Sequence, residues 1–120
     1  MNSNSLVNKV FMIVAPNETR KYVVVKGIIP KSLKIEFKVF CVRNNFEMSE
    51  VLEILIQQWI QTGLPIDELP SNIPDEELEE IKGYIPKNLK EQFKFCCKQK
   101  QITMRSILYA LITKYVEQSS

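Results

Sequence analysis

An internal repeat constrains this chain more than any other feature. Shifted by 56 positions, the sequence falls on itself without a gap, Lys26–Gln61 over Lys82–Glu117. Fourteen of the 36 aligned positions are identical, among them Lys26/Lys82, Gly27/Gly83, Pro30/Pro86, Lys31/Lys87, Phe37/Phe93, Cys41/Cys97, Met48/Met104 and Leu52/Leu108. A unit this short cannot bury an apolar face by itself, so two copies in one chain are expected to bury their faces against each other.

Each copy reads in three parts. A β-favouring stretch, 22–29 in the first copy and 80–85 in the second, stops at Pro30 or Pro86, which cannot donate to a ladder but suits the first turn of a helix. Leu33, Phe37, Phe40 and Cys41, matched by Leu89, Phe93, Cys96 and Cys97, then recur at the spacing of one helical face. Asn44-Asn45 supplies the stop, because Asn tolerates the left-handed backbone of a helix C-terminus; Lys100-Gln101 is a weaker stop in the second copy. A second amphipathic helix follows, built on Val51, Leu52, Leu55, Ile56, Trp59 and Ile60 against Ile107, Leu108, Leu111, Ile112, Tyr115 and Val116. Thr103 is a suitable N-cap, while Glu47 suits the positive helix end through its charge.

The chain divides into an extension at 1–21, a first repeat at 22–61, an acidic, Pro-containing linker at 62–79 and a second repeat at 80–118. Within the extension, Leu6–Val14 reads as an extra strand or a short helix. The linker's 18 residues reach roughly 60 Å at about 3.3 Å each, enough for the copies to meet within one molecule. The net charge of +2 conceals a partition: residues 1–61 carry eight bases and five acids, 62–80 carry seven acids and no base, and 81–120 carry eight bases and two acids. Basic blocks around an acidic connector suit a polyanionic partner.

With no His, three Gly and no clustered acid–base constellation, the chain lacks the usual materials of an enzyme site, and it is expected to be no enzyme and to carry no cofactor. Three Cys, two of them adjacent, fit neither a disulfide framework nor a four-thiolate zinc site and read as apolar filler on the first helices. No stretch has the length of a membrane span, and Val10–Ala15 is short for a secretion signal, so a cytoplasmic protein is expected.

Strand, Pro, helix, polar break and second helix in about 40 residues resembles the ribbon-helix-helix (Arc/MetJ/CopG-like) DNA-binding family, and the resemblance covers both repeats. It implies a mainly α fold with a short antiparallel β-ribbon, formed here within one chain as a tandem, intramolecular pseudo-dimer. It also implies a double-stranded DNA partner, a nucleoid- or plasmid-associated location and action as a transcription regulator, a repressor, with the ribbon in the major groove. Alternation puts Val25, Gly27 and Ile29, with Ile81, Gly83 and Ile85, on the inner face. The family's base-reading positions lie two, four and six residues before the Pro: Ile28, Lys26 and Val24, and Tyr84, Lys82 and Glu80. Phosphate contacts are implied for the starts of the second helices, at Met48 and Ser49 and at Met104 and Arg105; Lys31 and Lys87, on the lysine rows of the first helices, read from their spacing either as phosphate contacts or as part of a solvated face. The competing expectation is an antitoxin or plasmid-maintenance module that grips a protein through residues 1–21 or the acidic linker, with DNA binding secondary.

Overall fold

The computed structural model describes residues 21–63 and 76–119. Strand β1 (Tyr22–Pro30) leads into helix α1 (Lys31–Arg43) and helix α2 (Met48–Thr62); strand β2 (Leu78–Pro86) leads into α3 (Lys87–Gln99) and α4 (Met104–Ser119). The fold is mainly helical with one two-stranded antiparallel sheet. Expectations for 1–20 and 64–75, including a strand or helix at Leu6–Val14 and most of the linker, lie outside the described residues.

The two strands pair from Tyr22↔Pro86 to Pro30↔Leu78, with Lys26 opposite Lys82. Those two lysines are repeat equivalents, so the register is symmetric about them. Each helix start continues the ladder: the Lys31 N–H donates to Glu77 O at 2.9 Å and the Lys87 N–H to Lys21 O at 2.8 Å. Strand β2 therefore begins at Leu78, two residues before the expected start and inside the span assigned to the linker. Leu78 and Glu79 lack a β signature of their own. They are held extended because Pro30 and Ile29 stand opposite.

Both first helices end in the same way. Asn45 and Gln101, 56 positions apart, have φ of 60° and 58°. In each case the next N–H reaches back over the turn, Phe46 to Cys41 O at 2.9 Å and Ile102 to Cys97 O at 3.0 Å, satisfying a carbonyl that the helix end would orphan.

The inner face carries Val25, Gly27 and Ile29 and Ile81, Gly83 and Ile85, all buried as the alternation requires. The packing on it is crossed: α2 of the first copy lies against β2, and α4 of the second against β1. Aromatic contacts repeat the exchange. Phe37 meets Tyr115 edge-on at 5.7 Å between ring centroids, and Phe93 meets Trp59 edge-on at 5.7 Å. Trp59 and Tyr115, repeat equivalents on the second helices, each take the first-helix Phe of the other copy. Edge-to-face pairs at this separation add about 0.5–1.5 kcal/mol each to the burial itself.

The glycines set how closely the crossed helices approach. A Cβ on Gly83 would stand 2.8 Å from Leu52 Cδ1 and 3.3 Å from Ser49 Cα, whereas one on Gly27 would meet Leu108 Cδ1 at 3.3 Å. Two thiols lie in the same core. Burial pushes Cys41 up to about 11, and burial, with the neighbouring Cys96, pushes Cys97 up to about 11.

Gly83→Ala should destabilise the fold by about 1–3 kcal/mol through overpacking. Gly27→Ala should be near neutral, since its looser contact is offset by the ~0.5–1 kcal/mol of backbone entropy that Ala saves. Denaturant midpoints of the two variants would check the order. In thiol labelling near pH 8, half-buried Cys96 should react first, with Cys41 and Cys97 joining only on unfolding; equal native rates for all three would contradict the packing.

Candidate nucleic-acid interface

The face of the ribbon away from the helices presents Val24, Lys26, Ile28, Glu80, Lys82 and Tyr84, the six expected base-reading positions. Lys26, Glu80, Lys82 and Tyr84 are exposed, while Val24 and Ile28 are half-buried. The register sets them in three cross-strand pairs: Val24 with Tyr84, Lys26 with Lys82, and Ile28 with Glu80.

Three backbone groups on this face, pointing away from the partner strand, are taken up by the helices. The Lys90 Nζ donates to Val24 O at 2.9 Å and its equivalent Lys34 Nζ to Glu80 O at 3.0 Å, while the Tyr84 N–H donates to Ser49 Oγ at 2.9 Å. These outward bonds mark the outer pairs as the closely spaced, non-hydrogen-bonded kind. Lys34 and Lys90 are half-buried and clamp the ribbon edges. The other lysines of the two first helices, Lys31, Lys38, Lys87, Lys94 and Lys98, are exposed.

Close spacing makes Lys26 opposite Lys82 unfavourable. Like charges directly across a ribbon cost about 0.2–1 kcal/mol, and no hydrogen bond or ion pair joins either lysine to another described residue. The chain thus holds two ammonium groups side by side at the centre of an exposed ribbon face, where folding alone favours a β-branched residue. Both lysines can donate to guanine O6 and N7, and Tyr84 can donate or accept at a base edge. Val24 and Ile28 offer apolar contact to thymine methyls, and the Glu80 carboxylate can accept from cytosine N4.

The expected phosphate positions differ between the copies. At the first, Lys31 lies 3.8 Å from the Glu77 carboxylate, and Glu76 accepts from the Ser32 N–H at 3.3 Å and the Ser32 hydroxyl at 3.0 Å. At the start of α2 the Glu47 N–H donates to Glu50 Oε1 at 2.8 Å; Met48 and Ser49 are half-buried, and the Ser49 hydroxyl accepts from Tyr84. At the second, Asn88 Oδ1 accepts from the Leu89 N–H at 2.9 Å, and Thr103 Oγ1 accepts from the Ser106 N–H at 3.1 Å, the cap read from sequence. Lys87 and Arg105 are exposed and Met104 is half-buried.

Sequence reasoning missed the anchoring by Glu76. It holds the start of α1 from 44 residues away, and no local pattern announces a contact of that range. Among the described residues there is no group of His, Cys, Asp and Glu that could hold a metal ion, and no helix long and apolar enough to cross a membrane. No protein-family model, curated protein or solved structure matches the chain.

Replacing Lys82 by Thr should raise stability by about 0.2–1 kcal/mol through relief of the like-charge pair and higher β propensity. A double-mutant cycle with Lys26→Thr should show the two gains to be less than additive, because either substitution alone removes the repulsion. Strictly additive effects on the denaturation midpoint would show that the two charges do not sense each other.

Proposed function

We propose that the protein is a ribbon-helix-helix DNA-binding regulator whose two repeats form one intramolecular pseudo-dimer. In this reading the β1–β2 ribbon enters the major groove of duplex DNA and represses by occupying its site. The observation that carries the reading is the Lys26/Lys82 pair: two unpartnered cations opposed at the centre of an exposed two-stranded ribbon. A face kept at a cost to stability is better explained by a polyanion than by folding. Lys26 and Lys82 would read guanines at the centre of the site, with Val24 and Tyr84 on one side and Ile28 and Glu80 on the other. Because those flanks differ, the site would be an imperfect palindrome. Such a regulator acts in the cytoplasm, on a nucleoid or plasmid.

A second reading, an antitoxin-like or plasmid-maintenance protein-interaction module, is favoured by one asymmetry. Helix α1 exposes Ile35, Val39 and Val42 as an apolar strip flanked by Lys38 and Arg43. The equivalent strip on α3 reads Glu91, Phe95 and Lys98. An apolar partner segment with acidic flanks suits the α1 strip, and Val39→Asp would separate the readings by abolishing partner retention while leaving DNA affinity unchanged.

Titration of the chain against a duplex selected from a random-sequence pool should show log affinity falling linearly with log salt. Lys26→Ala combined with Lys82→Ala should cut the preference for the selected duplex over a random one by about tenfold or more, since a good lysine–guanine contact is worth ~1–3 kcal/mol. Lys94→Ala, on the exposed face of α3, should leave that preference intact. Absence of duplex binding even at low salt would reject the DNA reading.

A further inference from the structure

A two-stranded ribbon laid in the major groove, about 12 Å wide, turns one edge toward each of the two phosphate backbones that wall the groove. The edges of this ribbon are chemically unlike. Beside β1 stand Lys21 and Lys87, joined through the Lys87 N–H, then Lys90 clamping Val24, then Arg105 one turn before Leu108, whose side chain packs on Gly27. The first turns of α3 and α4 contain no acid; Pro86 precedes α3, and the side chains that accept N–H groups at the two helix starts, Asn88 and Thr103, are neutral. No carboxylate of a described residue pairs with Lys87 or Arg105.

Beside β2 the same positions are occupied by the chain's own carboxylates. Glu77 faces Lys31, Glu79 lies 3.5 Å from Lys34, Glu76 holds the start of α1 through Ser32, and Glu50 takes the Glu47 N–H at the start of α2. A phosphate arriving there would have to displace one carboxylate at each helix start and approach the others. Along β1 it would meet uncompensated cations and positive helix ends.

Resting on the DNA reading above, we infer that the backbone grip is one-sided: the protein holds the phosphates of the DNA strand that runs along the β1 edge, through Lys21, Lys87, Arg105 and the starts of α3 and α4. The β2 edge contributes base-facing side chains without a phosphate clamp. The second repeat supplies most of the grip, the first supplies a strand and half the core, and the acidic edge comes from Glu76, Glu77 and Glu79 just before and within β2 together with Glu50 of α2. Of the phosphate positions expected from the sequence, Lys87, Met104 and Arg105 then act, while Lys31, Met48 and Ser49 do not.

The test compares repeat equivalents in the full chain by fluorescence-anisotropy titration over a salt series, using a duplex selected from a random pool. Lys87→Ala and Arg105→Ala should each weaken binding by about tenfold and reduce the salt slope by about 0.9. Lys31→Ala and Ser49→Ala should leave the slope unchanged. Glu76→Gln with Glu77→Gln, which keeps oxygen acceptors for Ser32, should tighten binding and steepen the slope. Circular dichroism and denaturation midpoints would establish that each variant is folded. Equal losses from Lys31→Ala and Lys87→Ala, or no response to the glutamine pair, would overturn the one-sided grip and leave DNA binding standing. No duplex binding by the unaltered chain would overturn both.

Discussion

Two strands make the smallest sheet there is, and every structural element here depends on that pairing. A lone strand of nine residues leaves a row of backbone donors and acceptors without partners, and each helix of 13–16 residues is marginal in water by itself. The chain resolves both problems across the repeats. Strand meets strand with Lys26 opposite Lys82, each first helix begins by donating to the residue ahead of the other strand, and each second helix covers the other copy's strand. The exchange reaches single side chains, as in the reciprocal Phe37–Tyr115 and Phe93–Trp59 contacts. Removing one copy would take from the other its ladder, the helix on its strand and its aromatic partner together.

Symmetry of the core coexists with asymmetry of the surface. Equivalent positions inside are the same or nearly so, such as Phe37/Phe93 and Leu52/Leu108, because both copies fill one shared space. Outside the shared core the positions diverge: Glu80 stands where the first copy has Val24, exposed Arg105 where it has half-buried Ser49, and Lys98 where it has Val42. Such divergence leaves the fold intact while giving its two edges and two helix faces different chemistry. A protein assembled from two identical subunits could not separate them in this way.

Much of the fold was legible because it rests on periodicity and local backbone chemistry. Alternation identified the buried face of each strand, the Pro residues marked where helices begin, and Asn45 announced a left-handed helix end. Gln101 was the harder case. It adopts the same conformation without the residue type that advertises it, since the reach from Ile102 to Cys97 compensates. The unreadable parts are tertiary: the extended Leu78–Glu79, the carbonyl clamps of Lys34 and Lys90, and the capture of Ser32 by Glu76. For the candidate interface, position along the strand placed the six outer residues on one face; the occupation of the start of α1 by Glu76 and Glu77 depends on a linker whose path sequence does not specify.

The pairing of Lys26 with Lys82 inside one molecule is open to direct measurement by nuclear magnetic resonance. In a closely spaced antiparallel pair the α-protons of opposed residues lie near each other, so a strong cross-peak between the α-protons of Lys26 and Lys82 is expected. It should persist in isotope-filtered spectra that admit only contacts within a labelled chain. Absence of the cross-peak, or its appearance solely between labelled and unlabelled chains, would show that the ribbon is not built within one polypeptide.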